Sequence, residues 1–259
     1  MKAAPAPRPF VFFGVLFALS VPFWLYGALH GAELLPGLPV SAAMALCPAL
    51  AAGVLVYYEG NRAALGAFLR RSVDLRRMPL WAWLVAVGTM PAVMAGSAAL
   101  QWAMGVDLPA PQIGLTQTLA LFALFFVAAT TEELGWSAYA SRPLARAYGL
   151  GLAALILGTV SVVWHVIPLI QAGRSAEWIA WWALGSMARR IIILWLYLRG
   201  GESVFATSLF HAMSNLSWML FPVMGSHYDP VTTAGLLWLI AVPVLIFGAG
   251  ARTSMRSWP

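Results

Sequence analysis

Long uninterrupted runs of apolar residues are the feature that most constrains this chain. Of its 259 residues, 61% are hydrophobic and 9% are charged, whereas soluble domains carry about 25% charged residues. A water-soluble chain of this composition would expose large apolar patches, which soluble monomers avoid. In hydrocarbon only helices and closed barrels satisfy their backbone hydrogen bonds, and a barrel would alternate polar and apolar residues. The sequence therefore predicts an all-α, polytopic membrane protein.

Apolar runs bounded by Pro, Gly and charge predict about eight transmembrane helices in a single integral-membrane domain, residues 1–259. The first run is interpreted as a membrane helix rather than a secretory signal, because seven further spans follow and no small-residue cleavage site is convincing. The thirteen tryptophans suit interfacial belts, so none is assigned to a site. The predicted spans are 10–30, 38–58, 79–104, 114–136, 150–170, 177–198, 203–223 and 231–250.

Lysine and arginine collect in alternate connections, which predicts the orientation of the chain. The opposite connections contain only Arg174, and Arg189 and Arg190 lie inside the sixth span. By the positive-inside rule we expect a cell-membrane protein with both termini in the cytoplasm. Because the charge lies between spans, the net +6 does not indicate a nucleic-acid partner. The twelve residues on the predicted cytoplasmic side are Lys2, Arg8, Arg62, Arg70, Arg71, Arg76, Arg77, Arg142, Arg146, Arg199, Arg252 and Arg256.

A basic segment, residues 60–78, separates the second and third predicted spans. It is too charged to cross a membrane, and its spaced Leu and Phe residues beside arginines fit a helix lying on the anionic inner leaflet. A basic anchoring loop fits the same composition. The single cysteine, Cys47, lies in an apolar run, so neither a disulfide framework nor a thiolate metal cage is expected.

Several ionisable residues lie inside predicted spans, where each charge costs about 2.5 to 3.5 kcal/mol on insertion scales. Such groups must face one another or a wet cavity, which favours a functional site over an ion pair that only fixes helix packing. Adjacent helical residues project about 100° apart. One carboxylate of an adjacent pair should therefore face the reacting groups, and the other should face a neighbouring helix. The residues are Glu132, Glu133, His165, His211, Arg189 and Arg190.

The spacing of the polar groups indicates which reaction they could catalyse. His211 and Asn215 are four residues apart, so they share one helix face and present the two donors that an oxyanion requires. Pro168 follows His165 by three residues and is expected to kink the helix, which leaves room for water. With Glu132, these groups predict amide hydrolysis by activated water without a covalent nucleophile.

Three segments, TEELGWSAYASRPL, VVWHVIP and ILWLYLRGGESVFATSLFHAMSN, resemble the signature regions of the CPBP family. That family includes the CAAX prenyl endopeptidases and bacterial homologues linked to bacteriocin processing and immunity. The resemblance covers a catalytic-type core at about 114–220. It implies an intramembrane glutamic endopeptidase in which Glu132 and His165 activate water, His211 and Asn215 form an oxyanion hole, and Glu133 is the supporting carboxylate.

The first motif departs from the family pattern EExxxR, because Ser137 stands at the arginine position. Glu133 then needs a proton or another cation. We expect Arg189 or Arg190 to replace the missing arginine, although Arg142 could also reach back. The alternative is that one arginine of the pair extends to the inner interface.

Two further features concern His165. Ser161 stands four residues before it, where the family usually has Phe, and shares its helix face, so its side chain could hydrogen-bond the imidazole. With straight helices and cytoplasmic termini, Glu132 falls in the inner half of its span and His165 in the outer half of the next. Tilt, a longer fourth helix or the kink at Pro168 must bring the two together.

Three functions remain open. The leading one is an intramembrane endopeptidase, whose partners are the bilayer and a peptide or membrane-protein substrate that reaches the site from the cytoplasmic side. The second is a catalytically impaired binding or immunity protein, which the loss of the first-motif arginine favours. The third is a zinc protease with Glu132, His165 and His211 as ligands. The HExxH motif is absent, so no cofactor is expected, and a transporter is disfavoured because no repeat symmetry is visible.

Overall fold

The structure, a computed structural model, describes residues 7–75 and 78–248. Helices account for nearly all of this part of the chain, and a short hairpin joins the first two spans. In chain order the elements are α1 (Pro9–His30), β1 (Glu33–Leu35), β2 (Leu38–Pro39), a 3₁₀ helix (Val40–Leu46), α2 (Cys47–Glu59), α3 (Arg62–Arg70), a 3₁₀ turn (Arg71–Val73), α4 (Leu80–Ala103), α5 (Leu115–Glu133), a π-helix (Leu134–Ser141), α6 (Arg142–Gln171), α7 (Ala176–Arg199), α8 (Val204–Leu220) and α9 (Pro230–Gly248).

Six stretches of the described chain are long and apolar enough to cross a membrane. One of them, Leu115–Gln171, has 57 residues and covers the two predicted spans 114–136 and 150–170. Helix α8 has 17 residues, about 26 Å of helix, and matches the predicted span 203–223. The predicted all-α, polytopic membrane fold is confirmed. The six stretches are Pro9–His30, Val40–Glu59, Leu80–Ala103, Leu115–Gln171, Ala176–Arg199 and Pro230–Gly248.

The 57-residue stretch turns at Gly149, whose φ of 73° and ψ of 172° lie outside the helical region. Glycine adopts a positive φ without the steric cost that other residues pay. Helical structure therefore continues past the predicted end at 136 and reverses only at this corner. Glu132 precedes Gly149 by nearly the same stretch of chain as His165 follows it. Arms of nearly equal residue number are what a similar depth of the two side chains requires.

The π-helix Leu134–Ser141 connects the two arms, and all of its residues are buried. Gly135 lies against α1 and α2 so closely that an added Cβ would be 2.7 Å from Cζ of Phe12 and 2.8 Å from the carbonyl oxygen of Pro48. Only glycine permits this approach of backbones. π-helical turns are rare and often occur at functional sites, and this one directly follows Glu132 and Glu133.

Part of the basic segment is helical. The side chain of Asn61 caps the N-terminus of α3 by accepting hydrogen bonds from two backbone N–H groups. Phe68 is buried, while Arg62 and Arg70 are exposed, so the helix is amphipathic. Its arginines therefore lie on the side away from the bundle.

Arg71 points into the bundle. Its guanidinium donates to the carbonyl oxygen of Ala138 at 3.1 Å and to the hydroxyl of Tyr197. The basic segment is thus tied to the π-helix and to α7, besides any contact with lipid. Of the positive residues in the orientation argument, five lie outside the described residues: Lys2, Arg76, Arg77, Arg252 and Arg256.

Replacement of Gly135 by Ala tests the close approach of the π-helix. We expect Gly135→Ala to lose about 1 to 3 kcal/mol of stability, because the methyl group forces α1 or α2 away from the site. Gly88→Ala is the matched control, since nothing lies within 4 Å of a Cβ at that position. Thermal unfolding of the purified proteins in detergent measures both, and equal melting temperatures for the two variants would contradict the packing described.

Candidate functional site

A cavity of about 570 Å³ lies inside the bundle. Its volume is in the range of small-molecule and peptide side-chain sites. Four residues selected from the sequence, on three different helices, all line it: Glu132 of α5, His165 of α6, and His211 and Asn215 of α8. The structure therefore brings together a carboxylate, two imidazoles and an amide around one space.

The two adjacent glutamates face different surroundings. Glu132 lines the cavity, and its Oε2 is buried without a hydrogen-bond partner in the described chain. Glu133 does not line the cavity, and it is completely buried among neighbouring helices. This is the division expected for side chains that project about 100° apart. Glu132 is therefore the carboxylate available to a ligand.

Glu133 is held by three donors from different parts of the bundle. Nη1 of Arg190 lies 3.1 Å from Oε1 and 3.3 Å from Oε2 of Glu133. Nδ1 of His211 lies 3.0 Å from Oε1, and the hydroxyl of Ser137 donates to Oε2. The carboxylate therefore connects α5, the π-helix, α7 and α8 at one buried point. Such an ion pair is tolerated in the interior only when its remaining hydrogen bonds are also made, as they are here.

The three candidate arginines have separate partners. Arg190 takes the place of the cation that the first motif lacks. Arg142 instead pairs with Glu202, at 3.1 Å. Arg189 donates to the hydroxyl of Ser214 at 2.9 Å and to that of Ser186. It lines the cavity, so it neither pairs with Glu133 nor extends to the interface.

The tautomer of His165 follows from its neighbour. Nδ1 lies 2.7 Å from the backbone carbonyl oxygen of Ser161, which can only accept, so Nδ1 carries the proton and Nε2 has a free lone pair. The expected hydrogen bond from the Ser161 side chain is wrong, because the acceptor is the backbone carbonyl oxygen of Ser161 and not its hydroxyl. The carbonyl one turn earlier lies beneath the ring and accepts the hydrogen bond, and Ser161 itself lines the cavity.

His211 is oriented in the same way by a different acceptor. Its Nδ1 is engaged by the carboxylate of Glu133, which accepts the hydrogen bond. The remaining ring nitrogen, Nε2, has no hydrogen-bond partner among the residues that the structure describes. Asn215 lies one turn further along α8 and also lines the cavity. A buried carboxylate thus positions the imidazole beside the amide.

Tryptophans form one wall of the site, a role that the sequence analysis missed. The ring of His165 packs edge-on to Trp164, with centroids 4.7 Å apart, and against Trp182 at 5.5 Å. Nε1 of Trp164 donates to the hydroxyl of Ser20 at 2.7 Å, which holds the ring in place. A signal existed in the spacing, because Trp178, Trp182 and Ser186 recur at helical intervals of four on the face that leads to Arg189.

The zinc alternative would use Glu132, His165 and His211 as ligands. Within residues 7–75 and 78–248, no three His, Cys, Asp or Glu side chains come together as a group that could hold a metal ion. Glu132, His165 and His211 all line the cavity.

The cavity extends to one end of the bundle and to its side. Its lining includes Leu38 of the hairpin, Arg174 between α6 and α7, and Tyr228 between α8 and α9. These three connections follow odd-numbered spans and therefore lie on the same face of the membrane. Leu124 and Val127 of α5 line the cavity and are also 48% and 61% exposed, so the cavity is open to the surrounding lipid as well.

A helical membrane bundle thus places an unpartnered carboxylate oxygen, two imidazoles and an amide around one cavity. The family described as type II CAAX prenyl endopeptidase Rce1-like matches residues 114–217. CAAX prenyl protease 2 of Methanococcus maripaludis is 26% identical over 236 residues, which are 86% of this chain and 83% of that protein. Both matches confirm the resemblance predicted from the motifs. The chain is a multi-pass integral membrane protease, and its residues 114–217 are similar to the Rce1-like family.

Removal of Arg190 tests the buried connection at Glu133. We expect Arg190→Gln to lose about 3 to 5 kcal/mol of stability, because it leaves a carboxylate unpaired in the interior. Arg142→Gln is the control: its pair with Glu202 is partly exposed, at 14% and 25%, and should contribute about 1 kcal/mol or less. Denaturation in mixed micelles measures both, and similar small losses would show that Glu133 does not depend on Arg190.

Proposed function

We propose that this protease hydrolyses a peptide bond inside the membrane by direct attack of water, with Glu132 and His165 as the activating pair. The observation that carries the proposal is the unpartnered Oε2 of Glu132 in the same cavity as His165, whose Nε2 is left free by the bond to Ser161. A buried carboxylate without a partner costs stability, so its retention favours a catalytic use.

The proposed first step is proton transfer. Water held between Oε2 of Glu132 and Nε2 of His165 gives a proton to the carboxylate, and its oxygen forms a bond to the substrate carbonyl carbon. The carbonyl π electrons move to the oxygen, and a tetrahedral intermediate forms. Glu132, now a carboxylic acid, returns the proton to the substrate nitrogen as the carbon–nitrogen bond breaks. No covalent enzyme intermediate is required.

The developing oxyanion would lie at His211 and Asn215. The side-chain NH₂ of Asn215 can donate directly, and Nε2 of His211 can donate when both ring nitrogens carry protons, with Nδ1 held by Glu133. Each such donor supports about 10²- to 10³-fold in rate at other oxyanion sites. Glu133 and Arg190 act here through His211 and are therefore positioning residues.

The serine at position 137, in place of the family's arginine, favoured a non-catalytic protein in the sequence. In the structure this argument is weaker. The hydroxyl of Ser137 contacts Glu133, and Arg190 provides the positive charge from α7. In the family motif the second carboxylate is expected to pair with an arginine of the same segment. Here Glu133 pairs with Arg190, which lies on another helix. This favours the enzyme over the binding or immunity alternative.

The side of substrate access also follows from the cavity. The arginine count assigns the connections 31–39, 172–175 and 221–229 to the face opposite the cytoplasm, and residues from all three line the cavity. This favours access from that face or sideways through lipid at Leu124 and Val127, in place of the cytoplasmic access expected from the sequence. A substrate segment embedded in the membrane fits the apolar opening.

The first experiment compares cells that express wild-type protein or Glu132→Gln at matched levels. We expect mass spectrometry of membrane-protein termini to find cleaved ends that decrease about 10²-fold or more in the variant, the size of a lost general base. Glu177→Gln is the matched control, because Glu177 is exposed at the start of α7. Identical termini in all three strains would favour the binding or immunity alternative.

The same cleavage assay separates acid–base catalysis from the zinc alternative. Activity that survives chelators agrees with direct catalysis by Glu132 and His165. Activity that chelators abolish and zinc restores would support the metal alternative.

Cysteine labelling tests the face on which the cavity opens. In a Cys47→Ala background, Glu177→Cys lies at the start of α7, next to a connection that lines the cavity, whereas Arg62→Cys lies on the basic segment. We expect a membrane-impermeant maleimide, added to intact spheroplasts, to label Glu177→Cys and leave Arg62→Cys unmodified. The opposite pattern would place the cavity opening on the cytoplasmic side.

A further inference from the structure

Arg189 is a cation in the middle of a membrane-spanning helix that the hydrolytic mechanism does not use. Among the described residues no carboxylate lies within ion-pair distance of its guanidinium. Its two hydrogen bonds are to neutral hydroxyls, those of Ser214 and Ser186. An arginine kept at this depth without an anion is costly, so a functional partner is the default expectation.

The surroundings of Arg189 have the form of a binding pocket. Its guanidinium lies 5.6 Å from the ring centroid of Trp182, within reach of a cation–π contact. Tyr228 and Thr233 line the same cavity, and Oγ1 of Thr233 is buried with no partner in the described chain. Arginine has five N–H donors in a planar fork, and the two serines leave several of them free. Two side-chain hydroxyls, those of Tyr228 and Thr233, thus line the same cavity as the positive charge.

The charges that line the cavity do not balance. Arg174, Arg189 and Arg190 line it, against a single carboxylate, Glu132. Glu133 neutralises Arg190 from outside the cavity. One excess positive charge then remains, to which Arg174 contributes from the connection between α6 and α7, and an anionic ligand would balance it.

Arg189 is also close to the proposed reaction centre. The ring centroid of Trp182 is 5.5 Å from that of His165 and 5.6 Å from the guanidinium of Arg189, so both groups contact the same indole. The imidazole and the guanidinium are therefore at most about 11 Å apart, which an extended peptide covers with roughly three residues.

We propose that Arg189, with Ser186 and Ser214, is a specificity subsite that binds a carboxylate of the substrate next to the bond that is cleaved. The planar fork of the guanidinium fits a carboxylate with two parallel hydrogen bonds, which lysine cannot reproduce. The role in specificity depends on the proposed proteolysis, whereas carboxylate binding by itself does not.

Equilibrium binding of short peptides tests the subsite without catalysis. The proteins are purified with Glu132→Gln, so that a bound peptide is not cleaved. The probes are dansyl-Leu-Leu-Leu with a free carboxyl terminus, the same peptide as its amide, and the amide with one Leu replaced by Glu. The free peptide has a carboxylate only at its terminus, and the Glu-containing amide has one only on a side chain. Comparison of the two shows which position the subsite binds.

We expect at least one carboxylate peptide to bind about tenfold or more tightly than the neutral amide, the size of a hydrogen-bonded charge. Adding Arg189→Gln should abolish this preference, and Arg189→Lys should keep only part of it. Arg62→Gln, an exposed arginine on α3, is the matched control and should leave the preference unchanged. A purely structural role for Arg189 would change stability and would not change the ratio between acid and amide.

Three results would overturn the subsite. These are equal binding of acids and amide, a preference that persists in Arg189→Gln, and no binding of any probe at millimolar concentration. Displacement of the acid by dodecyl phosphate more strongly than by dodecanoate would assign the pocket to phosphate of a lipid headgroup instead. No cleavage occurs in these proteins, so a negative binding result would reject the subsite without rejecting the proposed proteolysis. The proteolysis is tested separately by the comparison of membrane-protein termini.

Discussion

The ion pair between Glu133 and Arg190 is the interaction on which the site depends. Both side chains are buried, so an unpaired charge on either one would be costly, and each stabilises the other. Because Glu133 also accepts from His211 and Ser137, the pair fixes α5, the π-helix, α7 and α8 relative to one another. In lipid, where apolar packing drives helix association only weakly, such polar connections give the bundle its specific arrangement.

The long helix that carries the glutamates has two irregularities, and each has a separate effect. The π-helix places Gly135 against α1 and α2 and brings the backbone close to its neighbours. The corner at Gly149 lies 17 residues after Glu132 and 16 residues before His165, so the two residues are nearly equally far from it along the chain. A regular helix that ended at 136 would leave these two side chains in opposite halves of the membrane. The irregular backbone is therefore what makes one reaction centre possible.

The two histidines are hydrogen-bonded through the same ring nitrogen, but to acceptors of different charge. Each presents Nδ1 to an acceptor and leaves Nε2 without a partner in the described chain, but the acceptor of His165 is a neutral carbonyl and that of His211 is a carboxylate. A neutral carbonyl supports an imidazole that accepts a proton or a hydrogen bond. A carboxylate can stabilise an imidazole that donates from Nε2. The two environments thus fit the two proposed roles, base and oxyanion donor, which the residue types alone do not distinguish.

The sequence by itself determined the membrane class, the positions of the helices and the candidate residues of the site, because lipid restricts both the length of apolar runs and the charges within them. Glu132, His165, His211 and Asn215 could be selected for that reason. Only the tertiary structure decided that Arg190 replaces the missing cation, that Arg189 stays without an anion among the described residues, and where the cavity opens. These depend on which helix faces meet, and helix packing in a nearly uniform apolar sequence has no periodic signal from which to predict them.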